Sequence, residues 1–264
     1  MNNCKICEQQ AQFCFNASVL NKYKVDYYKC SNCGFIQTEA PFWLDEAYQS
    51  AIAGQDIGLV YRNMIIAPIL STLINYHFNK DGKYIDYGGG YGMLTRIMRD
   101  KGFDFYRYDA YCENIFAKGF DSLKPEENPV YELLSSFEVF EHLVDPVGDL
   151  EKMSKWSTNI FFSTELQPEK LNSADDWWYI MPETGQHIAL YTEKSLRHLG
   201  QTFGLNFYTN GSNLHLFTKQ KLNQPLFKLL VTYRIAHLLY LFARGKRSLL
   251  MKDYELIKNN KHIK

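Results

Sequence analysis

A chain of 264 residues has room for one full α/β domain plus a small appendage, and with 46% hydrophobic residues it can fill a sizeable core. Basic and acidic residues balance at 29 each, which excludes the overall positive charge expected of a nucleic-acid-binding protein. The balance is uneven along the chain: residues 219–264 hold eleven Lys or Arg against two acids, so the remainder is acidic.

Met1 is followed by polar residues and cysteines, without the pattern of a signal peptide. The most apolar late stretch, Leu226 to Ala243, is interrupted by Lys228, Arg234 and His237 and is a poor bilayer span. These features imply a cytoplasmic protein.

The chain opens with Cys4, Cys7, Cys30 and Cys33, two Cys-x-x-Cys pairs around a 22-residue insert. Four thiolates at this spacing can surround a tetrahedral structural zinc ion, and Gly34 suits the tight knuckle after the second pair. Four protein ligands leave no open position, so zinc catalysis is not expected. The insert carries Phe13, Phe15, Val19, Tyr23, Val25 and Tyr27, a β-rich pattern suited to the hairpin of a zinc ribbon over residues 1–40. Cys14 and Cys112 read as ordinary thiols.

Residues 41–80 read as a helical cover. An aromatic and acidic connector from Pro41 to Ser50 leads through Gly54 to Gly58 into an amphipathic helix with Leu59, Tyr61, Arg62, Ile65, Ile66 and Ile69, broken or kinked near Pro68.

The central stretch is Lys83-Tyr84-Ile85-Asp86-Tyr87-Gly88-Gly89-Gly90-Tyr91-Gly92, a short strand ending in an acid and then a glycine loop. Gly88, Gly90 and Gly92 permit positive φ, so the backbone can turn sharply and lie against a ligand at the start of a helix carrying Met93, Leu94, Ile97 and Met98. Gly102 can stop that helix. A second strand, Phe103 to Tyr108, ends at Asp109, where an acid can bind ribose hydroxyls. The nicotinamide pattern Gly-x-Gly-x-x-Gly fails, because its third glycine falls on Met93. A strand-end carboxylate would repel a pyrophosphate but suits an ammonium.

Beyond this point the pattern predicts a loop at residues 111–114, a strand from Val130 to Phe137, then Glu138-Val139-Phe140-Glu141-His142-Leu143. A helix from Val147 to Ser154 and a strand from Asn159 to Ser163 follow. The long loop from Leu166 to Gln186 carries Asp175-Asp176-Trp177-Trp178-Tyr179 and leads to His187; a loop of that length carries function or acts as a lid. Thr192 caps a helix running to about Phe203, and a hairpin joins Leu205–Thr209 to Leu214–Thr218 through Asn210-Gly211. From Leu222 the pattern is helical, with Phe227, Leu230, Val231, Ile235, Leu238, Leu239 and Phe242 on one face and a break at Gly245-Lys246-Arg247. Residues 220–264 therefore form a basic helical extension. It can serve as an oligomer contact, as a cover over the site, or as a peripheral membrane contact, or it can be a solvated face.

Asp86-x-Gly88-x-Gly90-x-Gly92 resembles motif I of the class I S-adenosylmethionine-dependent methyltransferases, and Glu138-x-x-Glu141-His142 with Pro146 resembles their post-strand motif. The resemblance implies an α/β, Rossmann-like seven-stranded sheet with helices on both faces over residues 41–219. It further implies that Asp86, Gly88, Gly90, Asp109, Ala110 and Glu138 hold S-adenosylmethionine, with Tyr61 and Arg62 at its methionine end, and that His142, His187 and Glu141 serve the acceptor. A hydroxyl acceptor needs help in losing its proton, and either histidine can act as base.

Glu138, Glu141, His142 and His187 together are also a ligand set suited to a divalent ion. Small-RNA 3′-end 2′-O-methyltransferases use a similar Glu-x-x-Glu-His with a later His, so magnesium or manganese is implied by that likeness. Trp177, Trp178 and Tyr179 beside Asp175 and Asp176 suit a carbohydrate, or equally a hydrophobic lid. A zinc ribbon ahead of such a domain is similar to enzymes that methylate nucleotide-linked deoxysugars or bacterial surface polysaccharides and capsules. The sugar C-methyltransferases of that group carry a further large C-terminal domain, which favours O-methylation here. The rivals are sugar C- or N-methylation, RNA-directed methylation, and a binding module of this fold without turnover. A saccharide or other small-molecule substrate is expected, nucleic acid is not, and a homo-oligomer is compatible with the extension.

Overall fold

The computed structural model describes residues 2–49, 57–122, 131–242 and 246–259. Gly54, Val130 and Gly245, which figure in the sequence reading, lie outside the described residues. In chain order the strands are β1 (Asn2–Asn3), β2 (Gln10–Val19), β3 (Tyr23–Cys30), β4 (Ile36–Thr38), β5 (Lys83–Tyr87), β6 (Asp104–Tyr108), β7 (Leu133–Ser136), β8 (Ile160–Ser163), β9 (Ala189–Leu190), β10 (Asn206–Thr209) and β11 (Leu214–Thr218). The helices are α1 (Leu44–Ala47), α2 (Leu59–His77), α3 (Met93–Asp100), α4 (Pro146–Trp156), α5 (Glu193–Thr202), α6 (Gln224–Leu230), α7 (Tyr233–Phe242) and α8 (Leu250–Asn259).

Two sheets form, one in the order β1-β2-β3-β4-β9 and the other in the order β10-β11-β8-β7-β5-β6. In the second, β5 pairs in parallel with β6 and β7, while β10 and β11 pair antiparallel. This is the expected Rossmann-like α/β arrangement of a mixed sheet with helices. Of the seven strands implied by resemblance, six are present among the described residues. At the β6 edge, among the described residues, one parallel bridge forms, between Arg107 and Asp121. The Arg107 amide donates to Phe120 O at 2.8 Å and the Ser122 amide to Arg107 O at 2.7 Å. Gly119, at φ 85°, breaks the extended run just before that bridge.

The chain divides into two compact units. One comprises Met1–Ala53, Phe137–Lys152 and Phe162–Gln220; the other comprises Gly54–Ser136, Met153–Phe161 and Lys221–Lys264. In the first, β2 and β3 form the expected hairpin, burying Phe15, Val19, Val25 and Tyr27. Phe13 is exposed although it alternates with Phe15, because a β-bulge between them reverses the side-chain phase. The ribbon's sheet is completed from a distant point in the sequence, with Ile36 opposite Leu190 and Gln37 opposite Ala189.

The loop from Leu166 to Gln186 is packed. Leu171, Trp177, Tyr179 and Ile180 join Phe15, Val25, Tyr27 and Trp43 in one core, and Trp43 Nε1 donates to Gly185 O at 2.9 Å. Helix α5 begins as predicted: Thr192 Oγ1 accepts from the Ser195 amide at 3.0 Å, and Gly204, at φ 65°, follows its end.

In the second unit, α2 runs through Pro68, where a break or a kink was expected, without a break. Its second half is buried from Ala67 to Ile74, and Thr72 Oγ1 donates to Ala236 O of α7 at 2.9 Å. Packing of that length on both sides of the proline outweighs the one lost helical bond. The predicted single apolar face after Leu222 is divided: Phe227, Leu230 and Val231 are buried, while Leu238 and Phe242 are exposed. The cause is a 77° bend between α6 and α7. No single helix among the described residues is long and apolar enough to cross a membrane.

The basic extension is fastened by its acid. Arg99 Nε and Nη2 donate to the two carboxylate oxygens of Asp253 in α8 at 2.8 and 2.7 Å, and Nη1 donates to Asp104 Oδ1 at 2.7 Å. Both Arg99 and Asp253 are buried. Removing one partner of such a pair strands the other charge, so Asp253→Asn is expected to cost about 3 kcal/mol in urea unfolding. An exposed acid of the same helix, as in Glu255→Gln, should cost less than about 0.5 kcal/mol.

Candidate functional site

The parallel strands β5 and β6 end in Asp86-Tyr87 and Tyr108-Asp109, and the glycine loop leaves the first of these ends. Gly88, Gly90 and Gly92 have φ of 69°, 52° and 83°, the left-handed conformations expected of them. The amides of Gly88 and Gly89 donate to Tyr108 O at 2.8 and 3.2 Å, which folds the loop back over the neighbouring strand end. Asp109 holds the same loop: its Oδ2 accepts from the Gly90 amide at 2.9 Å and its Oδ1 from the amides of Tyr111 and Cys112 at 2.8 and 2.7 Å.

Two controls on this loop were not visible in the sequence. Arg107, buried in β6, donates from Nε to Gly90 O at 2.6 Å and from Nη1 to Asp121 Oδ1 at 2.7 Å. Gly89 is needed for space: a Cβ there would lie 2.7 Å from Asp86 Oδ2 and 3.1 Å from Asp86 O. A buried arginine has no sequence signature distinct from an exposed one, and Gly89 is masked by the more familiar alternation of its neighbours.

Asp86 is 3% exposed, and its Oδ1 accepts from Ser135 Oγ of β7 at 2.8 Å. Burial pushes its carboxyl up to about 7, Asp109 adding to the rise and Ser135 and Arg107 opposing it. A cation placed here would restore its charge. Tyr61 is exposed on the first turn of α2, Arg62 is half-buried beside Gly58, and Ala110 is exposed next to Asp109.

In the first unit, Glu138 has a left-handed backbone at φ 55°, unusual for a residue with a side chain. Ser163 holds that turn, accepting from the Glu138 amide at 2.9 Å and donating to its Oε1 at 2.7 Å. One turn on, Glu141 is fully buried, and neither of its carboxylate oxygens has a hydrogen-bond partner among the described residues. His142 Nε2 lies 3.8 Å from Glu141 Oε1. The rings of His142 and His187 stand 5.0 Å apart and nearly perpendicular. Glu141, His142 and His187 each offer a ligand atom within 4.8 Å of the others. Of the four residues anticipated as a divalent-ion set, the structure brings these three together, while the Glu138 carboxylate is bonded to Ser163.

The tautomers follow from the partners. His142 Nδ1 lies 3.1 Å from Gln186 O, and His187 Nδ1 contacts Tyr179 O. A carbonyl oxygen only accepts, so each Nδ1 carries the proton and each Nε2 presents a lone pair. Burial pushes His142 down to about 3 and His187 down to about 4, so both rings are neutral at pH 7. Tyr48 Oη, 3.0 Å from His142 Nδ1, is a further contact that the sequence did not signal.

The aromatic trio is not one platform. Trp177 and Tyr179 are buried in the core, and only Trp178, at 71% exposure, presents a ring to solvent. Three consecutive residues in a turn cannot all face outward, and the larger apolar gain lies inside. Asp176 is committed to capping the amides of Asn172 and Ser173 at 2.8 and 3.0 Å, although it and Asp175 are both exposed.

The four cysteines converge as predicted. Cys4 and Cys33 sulfurs are 3.6 Å apart and Cys7 and Cys30 sulfurs 3.4 Å apart, far beyond the bond of about 2 Å in a disulfide. Tetrahedral zinc with bonds of about 2.3 Å holds its sulfurs about 3.8 Å apart. The Ile6 and Cys33 amides donate to the sulfurs of Cys4 and Cys30, both at 3.4 Å.

A glycine loop between two strand-end acids on a parallel sheet defines an α/β domain built for a nucleotide-type cofactor. A family profile described as a methyltransferase domain matches residues 61–210, more than half of the chain. The chain belongs to that family and contains a class I S-adenosylmethionine-dependent methyltransferase domain. Among solved structures it is similar to CalO1, a methyltransferase in calicheamicin biosynthesis in its SAH-bound form, at 15% identity and a TM-score of 0.42, covering 66% of this chain and 60% of that one. The mitomycin 7-O-methyltransferase MmcR is 13% identical, with a TM-score of 0.45, covering 67% of this chain and 60% of that one. Magnesium protoporphyrin IX methyltransferase from Synechocystis PCC 6803 with bound SAH is 11% identical, with a TM-score of 0.42, covering 66% of this chain and 92% of that one. The chain thus spans about 60% of the length of the first two. No curated protein matches it in sequence.

The raised carboxyl of Asp86 has a consequence for stability. Its folded pKa, about 7, exceeds the unfolded value of 3.8, so the native state holds the proton more tightly, and the cost of ionising it builds as pH rises from about 4 to 7. Asp86→Asn removes that cost. Relative to wild type, the variant should gain about 3 kcal/mol between pH 4.5 and pH 8 in denaturant titrations without cofactor, with the gain nearly complete above pH 7.

Proposed function

We propose that the protein transfers the methyl group of S-adenosylmethionine to a hydroxyl of a saccharide, either nucleotide-linked or part of a surface polysaccharide or capsule precursor. The observation that carries the reading is the buried Asp86 carboxylate at the mouth of a loop whose Gly90 amide is tied to Asp109, inside the segment matched by the methyltransferase family. S-adenosylmethionine supplies a methyl group already activated on a sulfonium. The chain's part is to hold the cofactor and to take a proton from the acceptor.

Asp86 is suited to the ammonium of the methionine end, and such a pair would let it ionise inside the protein. Asp109 is suited to the ribose hydroxyls, its carboxylate already oriented by three backbone amides. Gly88 and Gly90 allow close approach of the backbone, with Ala110 beside Asp109. Glu138 is assigned to the cofactor side, and Tyr61 and Arg62 to the methionine carboxylate. On the acceptor side, His142 and His187 each present a neutral Nε2 that can accept a hydroxyl proton. Trp178 with Asp175 suits the C–H face and hydroxyls of a sugar. The four cysteines hold a structural zinc that fixes the ribbon, as their spacing and the amide bonds to sulfur support.

Two measurements test this reading. Calorimetry should detect S-adenosylmethionine binding that weakens at least about tenfold in Asp86→Asn and Asp109→Ala. Labelled methyl transfer across a panel of nucleotide sugars and polysaccharide fragments should give a methyl on oxygen by mass spectrometry and NMR. Methylation confined to oligonucleotides, or to carbon or nitrogen of the sugar, would overturn the acceptor, and absence of cofactor binding would overturn the whole.

For the ribbon, purified protein should carry about one zinc per chain by elemental analysis. Cys33→Ser should lose that zinc and lower the melting temperature by at least about 5 °C.

A further inference from the structure

We infer that Glu141, His142 and His187 bind one divalent first-row transition ion, of the manganese, iron or cobalt kind in preference to magnesium, and that Glu138 is not among its ligands. The inference concerns the acceptor side of the proposed site but does not depend on which acceptor is methylated.

Three observations carry it. The first is an unmet electrostatic demand: Glu141 is fully buried, and both of its oxygens lack a partner among the described residues. Neither an ionised nor a protonated carboxyl is satisfied by that arrangement, because the one needs donors or a cation and the other an acceptor for its proton. The hydroxyls of Tyr179 and Thr164 neighbour the carboxylate without closing a full hydrogen bond, and both are themselves unpartnered among the described residues. They are placed to support the carboxylate once a cation draws it into position.

The second is the orientation of the imidazoles. Each histidine commits Nδ1 to a backbone carbonyl, His142 to Gln186 and His187 to Tyr179, which leaves the lone pair on Nε2, and His142 Nε2 stands 3.8 Å from Glu141 Oε1. A bond from the far nitrogen to a carbonyl, fixing tautomer and ring direction, is the usual support of a metal-ligating histidine. Two histidines packed for bulk alone have no reason to share it.

The third is spacing. Glu141 Oε1 and His142 Nε2 are 3.8 Å apart, too far for a hydrogen bond. Two ligands of one ion at about 2.1 Å lie about 3 to 3.5 Å from each other, so a shift of a few tenths of an ångström brings this pair to ligand spacing, and the ligand atoms of all three residues lie within 4.8 Å of one another.

Two imidazoles and one carboxylate make a set in which nitrogen predominates, and nitrogen ligands favour transition ions over magnesium, which prefers oxygen and keeps its water. Three protein ligands leave open positions, where such an ion would act as a Lewis acid toward acceptor oxygens. Glu138 is spent differently, since its carboxylate accepts from Ser163 and its backbone is held in a left-handed turn.

The test uses the full chain after dialysis against EDTA, with zinc restored to one equivalent so that the cysteines are filled. Manganese is the probe, because it avoids thiolate sites. Loss of the free Mn2+ signal in electron paramagnetic resonance should report one site per chain, with magnesium competing at least about tenfold more weakly. His187→Gln and Glu141→Gln should each weaken manganese binding at least about 100-fold, whereas Glu138→Gln should change it less than about threefold. Circular dichroism and calorimetry with S-adenosylmethionine on each variant separate loss of the metal site from loss of the fold or of the cofactor site. Wild-type protein that retains its cofactor affinity yet takes up no manganese at about 1 mM would overturn the inference, as would unchanged binding in folded His187→Gln. Loss of binding in Glu138→Gln would overturn the assignment of ligands.

Discussion

A carboxylate removed from water must find a proton, a donor or a cation; Asp253 finds Arg99, and the constraint falls hardest on two other buried acids among the described residues. Asp86 ends β5 with a single hydroxyl donor from Ser135, and its carboxyl is pushed up to about 7 by the surrounding apolar strands. Glu141 follows a buried strand with no donor among the described residues. Groups so costly to bury are poor devices for stability and good ones for recognising positive charge, which each would neutralise while being neutralised. In each unit the chemistry is concentrated where this cost is carried.

What surrounds each acid follows from it. Around Asp86 there is no space for a side chain at Gly89, and the loop is tied to the next strand end by Asp109 and to the sheet by Arg107, so its course is set by polar bonds at both edges. Around Glu141 the two imidazoles are anchored by backbone carbonyls from the loop that precedes β9. That loop is held by its own core of Trp177, Tyr179 and Ile180 with the ribbon hairpin, so packing of the ribbon and orientation of His187 are one problem. The same economy appears at the cysteine knuckle. Thr192 donates to Cys33 O at 2.6 Å while capping α5, and Gly34 is required because a Cβ would press within 3.0 Å of Thr192 Cγ2.

Much of the fold was legible in one dimension because its signals are local. The cysteine spacing, the glycine alternation after β5, Thr192 as a helix cap, Gly204 as a stop and Asn210-Gly211 as a turn each act through the backbone within a few residues, and each stands where expected. The errors came where neighbours in space override local preference. Pro68 did not break α2, since buried packing from Ala67 to Ile74 continues the helix around it. The apolar stripe after Leu222 divided, because α7 turns 77° away from α6. Among the described residues, the Arg107–Asp121 bridge is what lies beyond β6 in place of a seventh strand.

The candidate site divides in the same way. The residue types and their order, namely Asp86 with its glycines, Asp109, Glu141-His142 and His187, were set by sequence alone, because strand ends and the loops after them follow from hydrophobic period and breakers. Which of those residues meet was not. The exclusion of Glu138 from the cluster, the inward turn of Trp177 and Tyr179, the anchoring of α8 through Arg99 and Asp253, and the completion of the ribbon by Ala189 and Leu190 all depend on partners far along the chain. Periodicity encodes which face of an element is buried, but it carries no record of what that face is buried against, and only the tertiary structure decides that.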